Sequence, residues 1–118
     1  MKTKDTSVQC AFHPALTAFL MGLDQYWRDM YGEELVITSG SEPEARHGYT
    51  SLHYATPAQA ADIRSWVQGK LPSATEQADE MRKVASIYCT NLKIPADWME
   101  VILESDHIHI EYQPKRTL

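Results

Sequence analysis

Three histidines and a group of carboxylates stand at spacings that suit metal-assisted hydrolysis. His53 lies in Ser51-Leu52-His53-Tyr54, Asp62 in Ala60-Ala61-Asp62-Ile63-Arg64, and Glu104-Ser105-Asp106-His107-Ile108-His109 stands near the C-terminal end. Zinc takes imidazole nitrogen and carboxylate oxygen readily, and three protein ligands leave one coordination position open, the arrangement of a catalytic site. Such an ion polarises a carbonyl and brings the pKa of its water down to roughly 7. A carboxylate alongside can take the water's proton and later return one to a leaving amine. Alone, His107-x-His109 also fits a solvated surface strand. His53 and Asp62, each in its own segment, shift the balance toward a metal.

The elements that must position these groups can be read from periodicity. Residues 107–112 alternate, so His107, His109 and Glu111 point to one face and Ile108, Ile110 and Tyr112 to the other. The apolar set belongs against helices. The polar set is a poor choice for a core, because each neutral imidazole nitrogen needs a partner. Trp98 to Leu103 precedes this strand across a short turn at Ser105-Asp106, which predicts a hairpin. Ala60 to Trp66 predicts a strand carrying Asp62, and Leu35 to Thr38 another. Ser39 to Thr50 reads as a long loop.

Pro14 suits the first turn of a helix. From there Leu16, Phe19, Leu20, Leu23, Trp27 and Met30 recur at helical steps as far as Gly32. A second helix is predicted over Thr75 to Leu92, with Ala78, Met81, Val84, Ala85, Tyr88 and Leu92 on one face and Ser73 or Thr75 as its cap. Two helices on a small, largely antiparallel sheet make an α+β fold. Trp27 and Trp98 read as core. Trp66 remains a candidate for lining a groove, and His13 for a helix cap or a surface position.

Composition sets the outer limits. A chain of 118 residues builds one domain with one core, spanning 1–118. The net charge of −5 and scattered basic residues argue against nucleic acid as a partner. No apolar run reaches the roughly 18 residues a membrane span needs. Met1 to Gln9 carries no signal-peptide pattern, so synthesis in a cytoplasm without a signal peptide is the expectation. Cys10 and Cys89, with no Cys-x-x-Cys pair, are expected as reduced thiols, at least one buried.

Taken as a set, Ser51-x-His53, Ala60-x-Asp62 and the later His-x-His resemble the zinc D-Ala-D-Ala metallopeptidase family, which includes carboxypeptidases, vancomycin-resistance dipeptidases, phage endolysin peptidases and the hedgehog domain. The hedgehog domain is similar in wording, through Ser-Leu-His-Tyr, Ala-x-Asp-Ile and a Glu-Ser shortly before His-Ile-His. The resemblance runs from about Leu35 to Tyr112. It implies a hedgehog/DD-peptidase-like fold and a zinc-dependent peptidase, monomeric, that cuts peptidoglycan stem peptides as a carboxypeptidase or an endolysin-type endopeptidase. It also implies a phage or prophage product acting on the cell wall after release. The alternative is a catalytically inactive, hedgehog-like zinc-binding module that binds a peptide or a protein partner.

Carried over by position, the resemblance makes His53, Asp62 and His109 the Zn2+ ligands, and His107 the group that stabilises the tetrahedral intermediate or orients the water. Glu104, matching the Glu of the hedgehog-like pattern, is the first choice for general base, and Asp106, three before the last ligand, competes for the role. His47 becomes a group behind a metal ligand or on the oxyanion side, and Ser51 a partner of a ligand or the local backbone. Two departures stand out. Eight residues separate His53 from Asp62, two more than in the family pattern. The arginine that follows Ser-Gly in the carboxypeptidases and holds the substrate carboxylate is absent, since Ser41 follows Gly40. Arg46 and Arg64 are the substitutes on offer, each equally readable as a surface ion-pair partner. Tyr49 and Tyr54 flank the site segment, with hydroxyls in reach of substrate.

Overall fold

Pro14 opens the first helix, α1 (Pro14–Tyr31), in a computed structural model that describes residues 1–42, 52, 55 and 57–115. His13 caps it, its Nδ1 accepting the Ala15 N–H at 3.1 Å, and Gly32 ends it in the left-handed region at φ 64°. The predicted apolar stripe is buried from Leu16 to Trp27. Met30 departs from it and is exposed. In that last turn Tyr31 faces inward instead, its ring edge-on to Trp27 at 5.4 Å.

The second helix, α2 (Ala74–Leu92), is capped by Ser73, whose Oγ accepts the Glu76 N–H at 3.2 Å. It buries Gln77, Ala78, Met81, Ala85 and Cys89. Leu92, expected on the same face, is exposed in the final turn, where Lys93 stops the helix at φ 58°. The two helices are tied by the Tyr26 hydroxyl, which donates to Glu80 at 2.5 Å. The Tyr88 hydroxyl likewise donates to the Ala15 carbonyl at 2.9 Å.

Both helices pack on a five-stranded mixed sheet, giving the α+β architecture expected. Its strands are β1 (Lys2–Thr3), β2 (Val36–Ser39), β3 (Ala60–Arg64), β4 (Met99–Leu103) and β5 (His107–Tyr112), in the order β1-β2-β3-β5-β4. Among these strands of the described residues the β1–β2 pairing is parallel and the other three are antiparallel. The core-facing side of the sheet carries Ile37, Ala61, Ile63, Ile108 and Ile110, all essentially buried.

Three local details differ from the pattern-based reading. β1 is too short, at two residues, to show as alternation. β3 ends at Arg64, before Trp66, which is exposed. Trp98 is buried in a single 3-10 turn (Ala96–Trp98) ahead of β4. The β4–β5 hairpin forms as expected, its turn closed by the Glu104 N–H donating to the His107 carbonyl at 2.9 Å. Both cysteines are free thiols, Cys89 buried and Cys10 exposed. Among the described residues no helix is long and apolar enough to cross a membrane.

Candidate metal centre

Strand register brings the two principal donors together. β3 and β5 run antiparallel with Asp62 directly opposite His109 and Arg64 opposite His107. Residues facing one another on adjacent strands have Cβ atoms about 5 Å apart, so short side chains on the same face must meet. The apolar neighbours fix which face that is. Ala61 and Ile63 on β3, with Ile108 and Ile110 on β5, take the core side and leave Asp62, His107, His109 and Glu111 on the other.

The contacts are close. Asp62 Oδ1 lies 2.7 Å from His109 Nδ1 and 3.5 Å from His107 Nε2. On its far side His109 Nε2 meets Glu111 Oε1 at 2.8 Å, and His107 Nδ1 meets Asp106 Oδ1 at 2.6 Å. Each imidazole is therefore held between carboxylates. Burial pulls the His109 imidazole down, but the hydrogen bonds and charges of Asp62 and Glu111 outweigh it and hold its pKa above the ordinary value.

Asp62 and His109 supply two donors of the kind zinc takes. An Asp oxygen and an imidazole nitrogen in mutual contact are of the type zinc prefers, at bond lengths near 2.0–2.2 Å. A ligating imidazole characteristically hands its other N–H to an outer carboxylate, which fixes its tautomer and orientation. Glu111 stands in that position on His109, a role not assigned from the sequence. Its signal was the third polar place in the alternation of β5. The 2.7 Å contact is a hydrogen bond, shorter than the roughly 3.3 Å that separates two ligands around a tetrahedral zinc.

Among the described residues no set of three His, Cys, Asp or Glu side chains that could hold a metal is assembled. The expected third ligand, His53, lies outside the described residues, as do His47, Ser51, Arg46, Tyr49 and Tyr54.

The two candidate bases are placed differently. Asp106 is on His107 and lines a cleft of about 460 Å³ beside Asp62 and His107. Glu104 is exposed at the hairpin turn and is not among the residues lining that cleft. Arg64 lines the cleft too, with its guanidinium 4.2 Å from the centre of the Trp66 ring.

A β-bulge shapes the β2 wall. Ile37 pairs with Ile63 but Ser39 pairs with Asp62, so Thr38 is the extra residue. Bulges re-aim side chains and recur beside active sites. This one sets Ser39 opposite Asp62. Ser39 is held in turn by Glu42, a buried carboxylate that accepts from the Ser39 hydroxyl at 3.0 Å and from the Gly40 N–H at 2.8 Å. Nothing in the loop composition of Ser39 to Thr50 marked Glu42 as buried. Comparison with family models, with curated proteins and with solved structures returns no match.

Proposed function

We propose that the chain is a zinc-dependent peptidase acting on peptidoglycan stem peptides, with His53, Asp62 and His109 holding the metal. The observation that carries this reading is Asp62 in contact with His109 across β3 and β5, backed by Glu111 and opening beside His107 on a cleft. When bound, zinc supplies Lewis acidity toward the peptide carbonyl and acidifies water.

The remaining chemistry belongs to the chain. Asp106, which lines the cleft, takes the proton of the attacking water in this reading and hands one to the departing amine. His107, oriented by Asp106 through Nδ1, offers Nε2 to the oxygen on which negative charge develops. Glu111 keeps the His109 ring oriented.

Purified protein is expected to bind one zinc at neutral pH and to release peptides or D-Ala from defined muropeptides. Chelator, His109→Ala and Asp62→Ala should each abolish the release. Stoichiometric zinc with no turnover on a panel of stem peptides would leave a zinc-holding binding module. Failure of the wild-type protein to take up zinc would overturn both readings.

A further inference from the structure

Trp66 differs from the other tryptophans in its surroundings. Trp27 and Trp98 are 2 and 5 % exposed, whereas Trp66 shows 59 % of its surface to solvent. An indole left in water forgoes the burial of a large apolar area. Its position is nevertheless fixed from two sides. The Arg64 guanidinium lies 4.2 Å from the ring centre and covers one face. Beneath the ring, the buried Gln77 amide donates to the Ser65 and Trp66 carbonyls and anchors the backbone. With one face covered, so large an exposure leaves the other face open.

That indole walls the cleft that also holds Asp62 and His107. The remaining lining carries charge of both signs, Lys4 and Arg64 against Asp62 and Asp106, with the hydroxyl residues Thr38 and Ser39. Such a mixture favours neither an anion nor a cation. It suits a neutral ligand rich in hydroxyls, because each hydroxyl both donates and accepts. A pyranose ring offers in addition a face of C–H bonds, whose slight positive charge is drawn to the negative face of an indole. At about 460 Å³ the cleft has room for such a ring together with part of a peptide.

We infer that Trp66 is the stacking platform of a saccharide subsite, with its open face against the ring and the polar walls of the cleft serving the hydroxyls. The inference rests on the peptidase reading for the source of the saccharide, the glycan from which stem peptides hang. Trp66 stands four residues beyond Asp62. That is at most about 14 Å of chain. A saccharide held there is therefore joined to the bond at the metal by no more than about four extended residues. The substrate favoured is a stem peptide still attached to its sugar, rather than one already released.

Two measurements on the zinc-treated full chain test this. In the first, the disaccharide of the glycan, without its peptide, is titrated into isotope-labelled protein and followed by NMR. The Trp66 indole N–H, identified as the signal lost in Trp66→Phe, is expected to shift, while the signals of the buried Trp27 and Trp98 stay in place. In the second, calorimetry compares a stem pentapeptide with the same peptide joined to that disaccharide, both with the scissile bond reduced so that turnover does not interfere. The glycosylated form is expected to bind about fivefold more tightly, the order of gain from one stacked ring. Trp66→Ala, at an exposed position, should bring it down to the affinity of the bare pentapeptide. An unmoved Trp66 signal, equal affinity for the two ligands, or an advantage that survives Trp66→Ala would overturn the inference. So would an equal loss for both ligands in Trp66→Ala, which would make the indole a wall for peptide. Hydrolysis of the unmodified pentapeptide in a parallel assay reports on the peptidase reading separately. Cleavage without a saccharide advantage sinks the subsite alone, and saccharide binding at Trp66 without cleavage sinks the enzyme alone.

Discussion

At the scale of single residues, His109 is the most constrained group in the site. Asp62 and Glu111 occupy its two ring nitrogens at 2.7 and 2.8 Å, and together they raise its pKa against the opposing effect of burial. An unfolded histidine titrates near pH 6.5, approximately. Since the folded value lies above this, the imidazolium contributes stability in full below the unfolded value and loses it as pH rises through the folded one. Thermal melts of the metal-free protein across that window should therefore show wild type losing stability relative to His109→Gln. Parallel curves for the two would remove the linkage. The sequence disclosed Asp62, His107 and His109 as candidates because donor chemistry and strand alternation are local properties. It put Glu104 ahead of Asp106 as the base, whereas Asp106 is the one that lines the cleft, because which carboxylate reaches a cleft depends on the turn geometry between β4 and β5.

At the scale of elements, the placement of Arg64 and Trp66 depends on a residue in another part of the fold. Gln77, fully buried on α2, donates through Nε2 to the Ser65 carbonyl at 3.2 Å and to the Pro72 carbonyl at 2.9 Å, with Trp66 O at 3.3 Å. These are the backbone groups of the segment that leaves β3, where no strand partner satisfies them. Removing a partner from buried polar groups costs about 1–3 kcal/mol. Gln77→Ala should lower the unfolding free energy by that amount in urea melts. An unchanged unfolding free energy would show that these carbonyls are satisfied without Gln77. Helices α1 and α2 were legible from their apolar steps and caps. β1, at two residues, and the buried Gln77 and Glu42 were not, since a polar residue's burial is settled by tertiary partners rather than by its neighbours in sequence.

At the scale of the whole molecule, the proposed metal would be coupled to the fold through the sheet. Zinc that binds the folded chain and not the unfolded one, at a hundredfold excess over its dissociation constant, adds about 2.7 kcal/mol of stability. For a chain of this size the melting temperature should rise on the order of 10 °C, and chelator should reverse the shift. A melting temperature indifferent to zinc would count against a metal held between β3 and β5. The α+β class followed from two helical and several alternating segments, whereas the strand order β1-β2-β3-β5-β4 did not, because pairing between strands distant in sequence leaves no local trace. The register of β3 on β5 carries one more consequence, for how this chain can vary in length. Core packing constrains β5 only to keep its isoleucines inward, and a slip of two residues would preserve that. It would also seat His107 or Glu111 opposite Asp62 in place of His109. Insertions or deletions of even length near the hairpin thus spare the fold while exchanging the residue that faces Asp62, whereas odd ones turn the isoleucines outward and are eliminated by misfolding.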